Sequence, residues 1–461
     1  MGEQEALKKL AEIFALHKVT LYAVGGYVRS RLLGIDKEAN DDIDLCSSAK
    51  FSDIQKWLSD TAFEVRDKSR GLGVVEINVG GYTFEHATFR KEYYQMPGEH
   101  TPIDVEFTDD INEDAKRRDF TVNAIYMNLL NGEYVDPFGG IADLRAKKIR
   151  AVVSPNFALS NDGIRLLRMI RFAVALGFDI DEETLAVARR NNFRLKMVSK
   201  SLIRREFDKI LIADTFYPKL PRTRSAHYRG VRYIGELGLW KEILPVMAEL
   251  QDSGIKTVRD PETVYEHSIY SIEFAQPRFR LAVLLHDIGM LDARVRQKQE
   301  KNVASVSGEL IRKDTSLLAL GYSREYIDWL AEVVSLTGYD MGRKMKRDDL
   351  RRFILAHRER LSDIINTKVP TEKAITYQID KSNITCSIQE EFAYMQRNHI
   401  ATSVKELDIS GLDIINEFPY LEKKYVSELM KQLLEAVALR NYKNDKQALL
   451  MLAKKLVKKI G

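Results

Sequence analysis

The sequence predicts an α+β fold, in which a small mixed-sheet head precedes a longer, all-helical remainder. Strand-like segments cluster before about residue 150, whereas from about residue 156 the apolar spacing is helical almost throughout. No strand–helix–strand alternation persists along the chain, which argues against a doubly wound α/β fold. Strands and helices are therefore expected to occupy separate parts of the chain.

Each predicted element has a local signal. Residues 1–14 have the spacing of an amphipathic helix, and residues 18–26 (KVTLYAVGG) predict a strand that ends in a glycine pair. Residues 73–89 contain two alternating runs that meet at Gly80-Gly81, a two-residue turn of the kind that tight hairpins prefer. Residues 132–140 predict a further strand and turn. In the helical part we expect breaks at Pro218, Pro221, Pro261 and Pro370.

Composition narrows the class of protein. A length of 461 residues suggests about three domains, and 45% apolar residues can fill sizeable cores. The net charge is only +4, so a nucleic-acid partner has to meet local basic patches. Cys46 and Cys386 are the only cysteines, which favours a reducing compartment over a disulfide framework. No signal peptide and no long apolar run is present, so we expect a cytoplasmic protein without a membrane partner.

Two carboxylates stand close together in the head. If residues 42–44 (DID) form a strand, Asp42 and Asp44 point to one face, where they repel each other unless a cation lies between them. Mg²⁺ takes oxygen ligands of this kind, and Glu85 on the second hairpin strand is a candidate third carboxylate. Upstream, Gly25-Gly26 and Arg29 combine a turn that allows close backbone approach with a guanidinium that can hold phosphate oxygens. A surface acidic turn is the alternative interpretation of the two aspartates.

A second motif lies at the start of the helical part. Asp162, Arg165, Arg168 and Arg171 recur every third residue within an apolar run, DGIRLLRMIRF. An ordinary amphipathic helix with a solvated face would explain the spacing. Solvated faces usually mix Lys, Glu and Gln, however, and this stripe is almost purely arginine, whose planar donors suit phosphates and base edges. The stripe therefore also predicts an anionic ligand.

The order of these motifs resembles a known family. GGYVRSRLLG, DDIDL, RRDFTVNAIYMNL (117–129), DPFGGIADL (136–144) and DGIRLLRMIRFAVALGF (162–178) look like the successive motifs of class II tRNA nucleotidyltransferases. These are the CCA-adding enzymes of bacteria and eukaryotes, together with their relatives, the bacterial poly(A) polymerases. The match covers about residues 18–215 and continues more weakly to the C-terminus. The resemblance implies a head of the polymerase β type.

The resemblance also implies roles for individual residues. Asp42 and Asp44 would hold two Mg²⁺ ions, one at the RNA 3′-hydroxyl and one at the leaving pyrophosphate. Asp162 and Arg165 would act as a protein template for the base of CTP or ATP, with added grip from Arg168 and Arg171. The rest of the nucleotide would be contacted by Gly26, Arg29, Arg118, Asp119 and Asn123.

On this resemblance the chain has four parts. The head is 1–150, a neck that recognises the base is 151–215, a helical body is 216–395, and a helical tail that binds tRNA is 396–461. The sequence departs from the family at Asn161, where a Glu is usual, and in residues 92–107, which replace a flexible loop. Basic runs at 294–301, 342–352 and 443–459 are candidates for tRNA contact, although each is also typical of a solvated helix face.

The expected activity is therefore addition of CCA, or of its terminal nucleotides, to tRNA from CTP and ATP. A poly(A) polymerase or an A-only adding enzyme of the same family is the alternative. His267, His286 and Asp287 resemble the start of an HD phosphohydrolase site, but the histidines that would complete it are missing from 301–310 and 333–341. For this region we favour a helical scaffold over an active hydrolase.

Overall fold

The computed structural model describes residues 2–35, 43–95, 98, 100, 102–256, 262–298, 302–338, 346–375 and 387–458. The chain divides into two units. The first contains Met1–Ala248 with Ala319–Gly321, and the second contains Glu249–Leu318 with Tyr322–Gly461. Strands occur before residue 181 and helices dominate thereafter. The expected α+β fold is confirmed.

Some strands are shorter than the sequence predicted. In chain order the strands are β1 Tyr22–Val24, β2 Ile43–Ser47, β3 Glu64–Ser69, β4 Val74–Val79, β5 Tyr82–Thr88, β6 Arg90–Tyr93, β7 Asp104–Phe107, β8 Tyr126–Asn128, β9 Tyr134–Val135, β10 Lys148–Ile149 and β11 Asp179–Ile180. The strand expected over 18–26 keeps only three residues, because Gly25 (φ 72°) turns the chain into a helix that begins at Gly26.

Seven strands of the first unit form one mixed sheet, in the order β3-β4-β5-β2-β1-β8-β9. The pairing is antiparallel except between β2 and β5, which run parallel with Asp44 opposite Glu85. Strands β4 and β5 form the predicted hairpin, and Gly80 (φ 56°) and Gly81 (φ 86°) supply the two positive φ angles that a tight turn requires. The short pairs β6–β7 and β10–β11 lie outside this sheet.

Helices account for most of the remaining chain. Up to residue 253 they are α1 Glu3–Leu16, α2 Gly26–Leu32, α3 Phe51–Leu58, α4 Ile111–Lys116, α5 Gly140–Ala146, α6 Pro155–Asn161, α7 Arg165–Leu176, α8 Glu182–Arg190, α9 Lys200–Leu211, α10 Ala226–Glu236, α11 Trp240–Ile243 and α12 Pro245–Ser253. After it they are α13 Val264–Ser271, α14 Arg280–Leu284, α15 Ala293–Arg296, α16 Val303–Lys313, α17 Thr315–Ala319, α18 Arg324–Thr337, α19 Arg347–Ala356, α20 Leu361–Ile375, α21 Ser387–Arg397, α22 Gly411–Glu417, α23 Lys423–Arg440 and α24 Lys446–Val457. None of those described is long and apolar enough to cross a membrane.

The two helices around the arginine stripe have clear boundaries. Ser154 accepts a hydrogen bond from the Phe157 amide (3.2 Å) and so caps α6, which has Pro155 at its first position. Helix α7 ends at Gly177, which adopts the left-handed conformation common at helix C-termini. Asp162 lies in extended backbone (φ −141°, ψ 110°) between these helices, so the stripe begins before the helix that carries its arginines.

The second unit is helical, with its own apolar clusters. Leu429, Leu433 and Val437 of α23 share one buried cluster with Leu449 and Ala453 of α24. The expected breaks at Pro218 and Pro221 are confirmed, whereas Pro261 lies outside the described residues. The break expected at Pro370 is wrong, because this proline lies inside α20. Pro370 is itself buried there, which is how tertiary packing overrides a poor helix propensity.

Candidate functional site

The acidic edge of the head is built by two parallel strands. Asp44 on β2 and Glu85 on β5 are register partners, so their side chains leave the sheet side by side. Asp44 is exposed, and a Cβ atom added to Gly25 would lie 3.2 Å from its Oδ2 atom. Glycine at position 25 therefore lets the backbone pass close to this carboxylate. Glu85 pairs with Lys68, and Asp42 lies outside the described residues.

Arg29 on α2 is held by distant parts of the chain. The residue is 4% exposed, and its guanidinium donates to the Asn123 side-chain carbonyl and to the Tyr217 hydroxyl (3.0 Å). Its guanidinium carbon lies 5.1 Å from the centre of the Phe172 ring. The guanidinium is therefore fixed in position before any ligand binds.

Asp119 joins the head motif to the arginine stripe. Its carboxylate accepts hydrogen bonds from Arg168 Nε (2.8 Å) and from the Asn123 amide (3.0 Å). Burial alone would raise the pKa of Asp119, but Arg168 and Asn123 outweigh burial and lower the pKa to about 2. Asp119 is therefore ionised at neutral pH and fixes the guanidinium of Arg168.

Arg118 is anchored through a buried acid that sequence reasoning did not select. Asp114 on α4 accepts from Arg118 (3.2 Å), Arg117 (2.7 Å) and the Tyr126 hydroxyl (2.8 Å). Burial would raise the pKa of Asp114, but the two arginines lower it to about 2. Arg118 Nε also donates to Tyr126 (2.9 Å), and this packing orients the guanidinium.

The pair expected to act as a template is buried and brought together. Asp162 and Arg165 are 6% and 5% exposed, and Arg165 Nε lies 4.0 Å from Asp162 Oδ2. Arg165 also donates to the backbone carbonyls of Ala158 (3.2 Å) and Arg117. His100, from the segment that replaces the family's flexible loop, places Nδ1 2.9 Å from Asp162 Oδ2. Asp162 and Arg165 are therefore not part of a solvated helix face.

The last arginine of the stripe also has a buried partner. Arg171 Nε donates to Glu206 on α9 (2.5 Å), and burial of Glu206 is outweighed by Arg171, so the pKa of Glu206 is lowered. The Arg171 and Arg168 guanidinium carbons lie 4.0 and 5.3 Å from the centre of the Phe172 ring. With Arg29 already against it, this ring has three guanidiniums around it.

The side chains that the sequence predicted for the site and that the structure describes line one cavity of about 820 Å³, formed wholly by residues of the first unit. Eight arginine and lysine residues line it, against five aspartates and glutamates, so the cavity favours an anionic ligand. Its volume is that of a typical small-molecule site. Sequence reasoning missed several lining residues, namely Glu92, Tyr94, His100, Phe172, Lys209 and Tyr217. Of these only Phe172 had a usable signal, because it adjoins Arg171 in the stripe.

The HD-like residues lie in the second unit. His267, His286 and Asp287 are brought together, each with one ligand atom within 4.8 Å of the others. His286 Nε2 is 3.2 Å from Asp287 Oδ2, and His286 Nδ1 is 2.7 Å from the Val283 carbonyl. The expected mutual contact of His286 and Asp287 is therefore present.

The three basic runs are only partly described, and each contains a cation with an acidic partner. Arg294 pairs with Asp292 (3.0 Å) and Lys454 pairs with Glu417 (2.6 Å). Arg351 is buried and donates to Glu391 (2.7 Å), which gives it a structural role. Contact of these runs with tRNA stays a prediction.

Known proteins with similar sequences act on nucleotides, in agreement with a cavity that favours an anionic ligand. A family profile described as the poly(A) polymerase head domain matches residues 21–150. A curated CCA-adding enzyme of Anoxybacillus flavithermus is 28% identical over 97% of this chain and 96% of its own length. The chain is thus similar to CCA-adding enzymes over nearly its full length, and its head to that of poly(A) polymerases. A second relative, the CCA-adding enzyme of Latilactobacillus sakei, is 38% identical over 45% of this chain and half of its own length.

Solved structures of CCA-adding enzymes have the same fold as this chain. The Bacillus stearothermophilus CCA-adding enzyme in complex with CTP superposes with a TM-score of 0.63 at 20% identity, with full coverage of both chains. The Thermotoga maritima CCA-adding enzyme complexed with tRNA has a TM-score of 0.59 at 18% identity, covering 98% of this chain and 95% of its own. Nucleotidyltransferases of the kind that the head resembles generally use a divalent metal.

Proposed function

We propose that this protein adds CCA, or its terminal nucleotides, to the 3′ end of tRNA from CTP and ATP, without a nucleic-acid template. The observation that carries the proposal is the buried Asp162–Arg165 pair, which lines the same cationic cavity as Asp44. A base-reading pair and a metal-binding carboxylate in one cavity are the parts that such a transfer needs. Relatives that match nearly the full chain are named CCA-adding enzymes.

Asp44, together with Asp42, would hold two Mg²⁺ ions, and Glu85 is the neighbouring carboxylate that could join them. The donor set fits this metal, because it consists of carboxylate oxygens, one of them exposed on the cavity wall. When bound, the ions would supply an activated RNA 3′-hydroxyl and charge neutralisation of the pyrophosphate. Gly26 and Arg29 would contact the triphosphate, and Arg171 would add a further guanidinium.

The base would be selected by two side chains of opposite hydrogen-bonding character. The Asp162 carboxylate accepts from an exocyclic amine, and the Arg165 guanidinium donates to a ring nitrogen or carbonyl. Cytosine and adenine both carry an amine at the relevant edge, whereas uracil carries a carbonyl oxygen there. Arg118, Asp119 and Asn123 would hold the nucleotide and its ribose. Arg168, whose guanidinium is fixed by Asp119, would make a further contact with the nucleotide.

The alternative within the family is a poly(A) polymerase or an A-only adding enzyme. The match of the head to the poly(A) polymerase head domain supports this alternative, because both activities use the same nucleotidyl transfer in the head. On either activity we propose a cytoplasmic enzyme with head, neck, body and tail at 1–150, 151–215, 216–395 and 396–461. The tail would contact the tRNA far from its 3′ end.

The deciding experiment offers purified protein and Mg²⁺ three tRNAs that lack one, two or three terminal nucleotides. Each is incubated with CTP, ATP or both, and the products are resolved to a single nucleotide. We expect ordered addition of C, C and A followed by a stop. Addition of A alone, or an A tail without an end, would move the assignment to the alternative.

Three variants test the site itself. Asp44→Asn should reduce transfer to background while tRNA binding persists, because only metal binding is removed; Asp60→Asn, an exposed acid of the same head, is the control. Asp162→Ala and Arg165→Ala should weaken the preference for C and A over U and G more than they weaken triphosphate binding. An unchanged base preference would exclude these two residues as the template.

A further inference from the structure

One end of the cavity carries a cation that the roles proposed above do not use. Lys209 lies on α9, three residues after Glu206, and its side chain lines the cavity. Among the residues that the structure describes, no carboxylate lies within ion-pair distance of its Nζ atom and no group accepts a hydrogen bond from it. The carboxylate of Glu206 instead accepts from Arg171 (2.5 Å). Lys209 thus differs from the arginines of the cavity, each of which has a protein partner.

The surroundings of Lys209 are unfavourable for an ammonium group without a partner. The side chain is half-buried, and burial lowers its pKa, as does the positive charge of Arg171. The attraction of Glu206 offsets only part of this effect, and Arg205 and Arg168 add further repulsion. An anion bound beside Lys209 would supply the missing partner and compensate the repulsion between the cations. The position therefore favours an anionic group of the ligand.

The Tyr217 hydroxyl is a second donor at the same end of the cavity. Its oxygen accepts from Arg29 (3.0 Å), and a hydroxyl also has one hydrogen to donate. No acceptor for that hydrogen occurs in the described part of the chain. Arg29 and Arg171 lie against the same Phe172 ring, with guanidinium carbons 5.1 and 4.0 Å from its centre. Tyr217, beside Arg29, and Lys209, beside Arg171, therefore belong to one end of the cavity.

The arginine stripe indicates which part of a nucleotide reaches this end. On the proposed function the base lies at Asp162 and Arg165, where the stripe begins. Arg171 follows Arg165 by six residues of α7, which is about 9 Å along the helix axis. Arg29, which would contact the triphosphate, adds to the positive charge around Arg171. The group that reaches Lys209 is therefore the one farthest from the base, which is the last phosphate.

We propose that Lys209 binds the terminal phosphate of the nucleoside triphosphate, with the Tyr217 hydroxyl as a second donor to it. The assignment rests on the proposed function, and it adds a physical reason for using a triphosphate instead of a shorter phosphate. A lysine ammonium is a compact charge with three rotatable donors, which suits a phosphate that can be approached from several directions. Transfer breaks the bond between the first and second phosphates, so the terminal phosphate leaves as part of pyrophosphate. Lys209 therefore acts on substrate binding without touching the reacting bond.

The test compares ligands that differ only in their number of phosphates. Titration calorimetry with the full chain gives the Kd values for CTP, CDP and CMP in Mg²⁺, without tRNA, so that no transfer occurs. Lys209→Met keeps the aliphatic chain and removes the charge. It should raise the Kd for CTP by roughly ten- to a hundredfold, as expected for one hydrogen bond between charged groups, and leave those for CDP and CMP unchanged. Lys209→Arg should recover part of the loss, and Lys56→Met, an exposed lysine of the head, should change none of the three.

The ligand series also separates a phosphate contact from a structural effect. Unchanged binding of CMP establishes that the variant is folded with its cavity intact. Tyr217→Phe, which keeps the ring, should also raise the Kd for CTP more than that for CDP. An equal loss of CTP and CDP binding in Lys209→Met would overturn the proposal, as would an unchanged Kd for CTP with a raised KM for tRNA, which would place Lys209 on an RNA phosphate. In both cases the wild-type protein still binds CTP and the proposed function stands, whereas wild-type protein that binds no CTP would overturn both.

Discussion

At the scale of single residues, the arginines of the cavity are held by protein partners before a nucleotide arrives. Arg168 donates to Asp119, Arg171 to Glu206, and Arg29 to Asn123 and Tyr217. Flexible arginines would lose side-chain entropy on binding, and these pairs have already removed that loss. The same pairs neutralise part of the cationic charge, so affinity comes from position as well as from net charge.

If Asp162 reads the base as proposed, the contact of His100 with Asp162 has to change when a base binds. Its Nδ1 lies 2.9 Å from the Asp162 oxygen that would receive the base amine. His100→Ala should therefore lower the Kd for CTP by roughly two- to tenfold, which corresponds to one hydrogen bond that is no longer displaced. Titration calorimetry measures this Kd, with His17→Ala, a distant histidine of the head, as the control. An unchanged or raised Kd would show that His100 supports the bound state.

At the scale of elements, the sheet contains one buried histidine with a consequence for stability. His86 on β5 is fully buried and within hydrogen-bonding distance of Ser47 on β2 (2.8 Å). Burial lowers the pKa of His86 to about 3, well below its ordinary value. The native state therefore keeps His86 neutral over a pH range in which the unfolded chain protonates it.

The sign of the resulting pH dependence follows from proton uptake. Below pH ~6.5 the unfolded state binds more protons than the native state, so stability falls as the pH drops towards 3. The loss attributable to this group approaches about 1.4 kcal/mol per pH unit below its unfolded pKa. Urea unfolding between pH 7 and pH 5 should show this slope in the wild-type protein and a smaller slope in His86→Gln. Equal slopes would exclude His86 as the source.

The junction between α6 and α7 positions both members of the proposed template pair, Asp162 and Arg165. A Cβ atom on Gly163 would lie 2.5 Å from the Arg194 backbone oxygen, and the Gly163 amide donates to Gly98 (3.1 Å). Gly163→Ala should therefore displace Asp162 relative to Arg165 and lower kcat/KM for CTP and ATP by ten- to a hundredfold, as expected for about 1–3 kcal/mol of overpacking. Steady-state kinetics with Gly71→Ala, where a Cβ meets nothing within 4 Å, provides the control. Wild-type kinetics in Gly163→Ala would contradict this role.

At the scale of the whole molecule, two units with their own cores predict stepwise unfolding. The nucleotide cavity belongs entirely to the first unit. Calorimetry should therefore show two transitions, of which CTP raises one, by a stabilisation of about 2.7 kcal/mol at a hundred times its Kd. Asp162→Ala should reduce that shift at the same CTP concentration. A single transition, or an equal shift of both, would contradict independent units.

The sequence predicted what local patterns determine. The Gly80-Gly81 hairpin follows from backbone conformation, and the arginines of α7 share one stripe because they recur at helical spacing. It could not predict Asp114 or Glu206, because an isolated acid on an amphipathic helix has no local signal that it will be buried. Nor could it predict the contact of His100 with Asp162, because the two residues lie 62 positions apart in the sequence. Pro370 was misjudged because local propensity was weighed without the packing around it.

The cavity has a consequence for the order in which the chain is made. Arg29 and its partner Tyr217 are separated by 188 residues, and at ribosomal speeds of 5–20 residues per second their synthesis is roughly 10–40 s apart. For most of that interval the emerging head lacks the arginines of α7, and until Tyr217 is made Asn123 alone of these two partners can hold Arg29. A nascent or prematurely terminated chain should therefore bind a nucleotide weakly, and the ability to bind it should be gained late in translation.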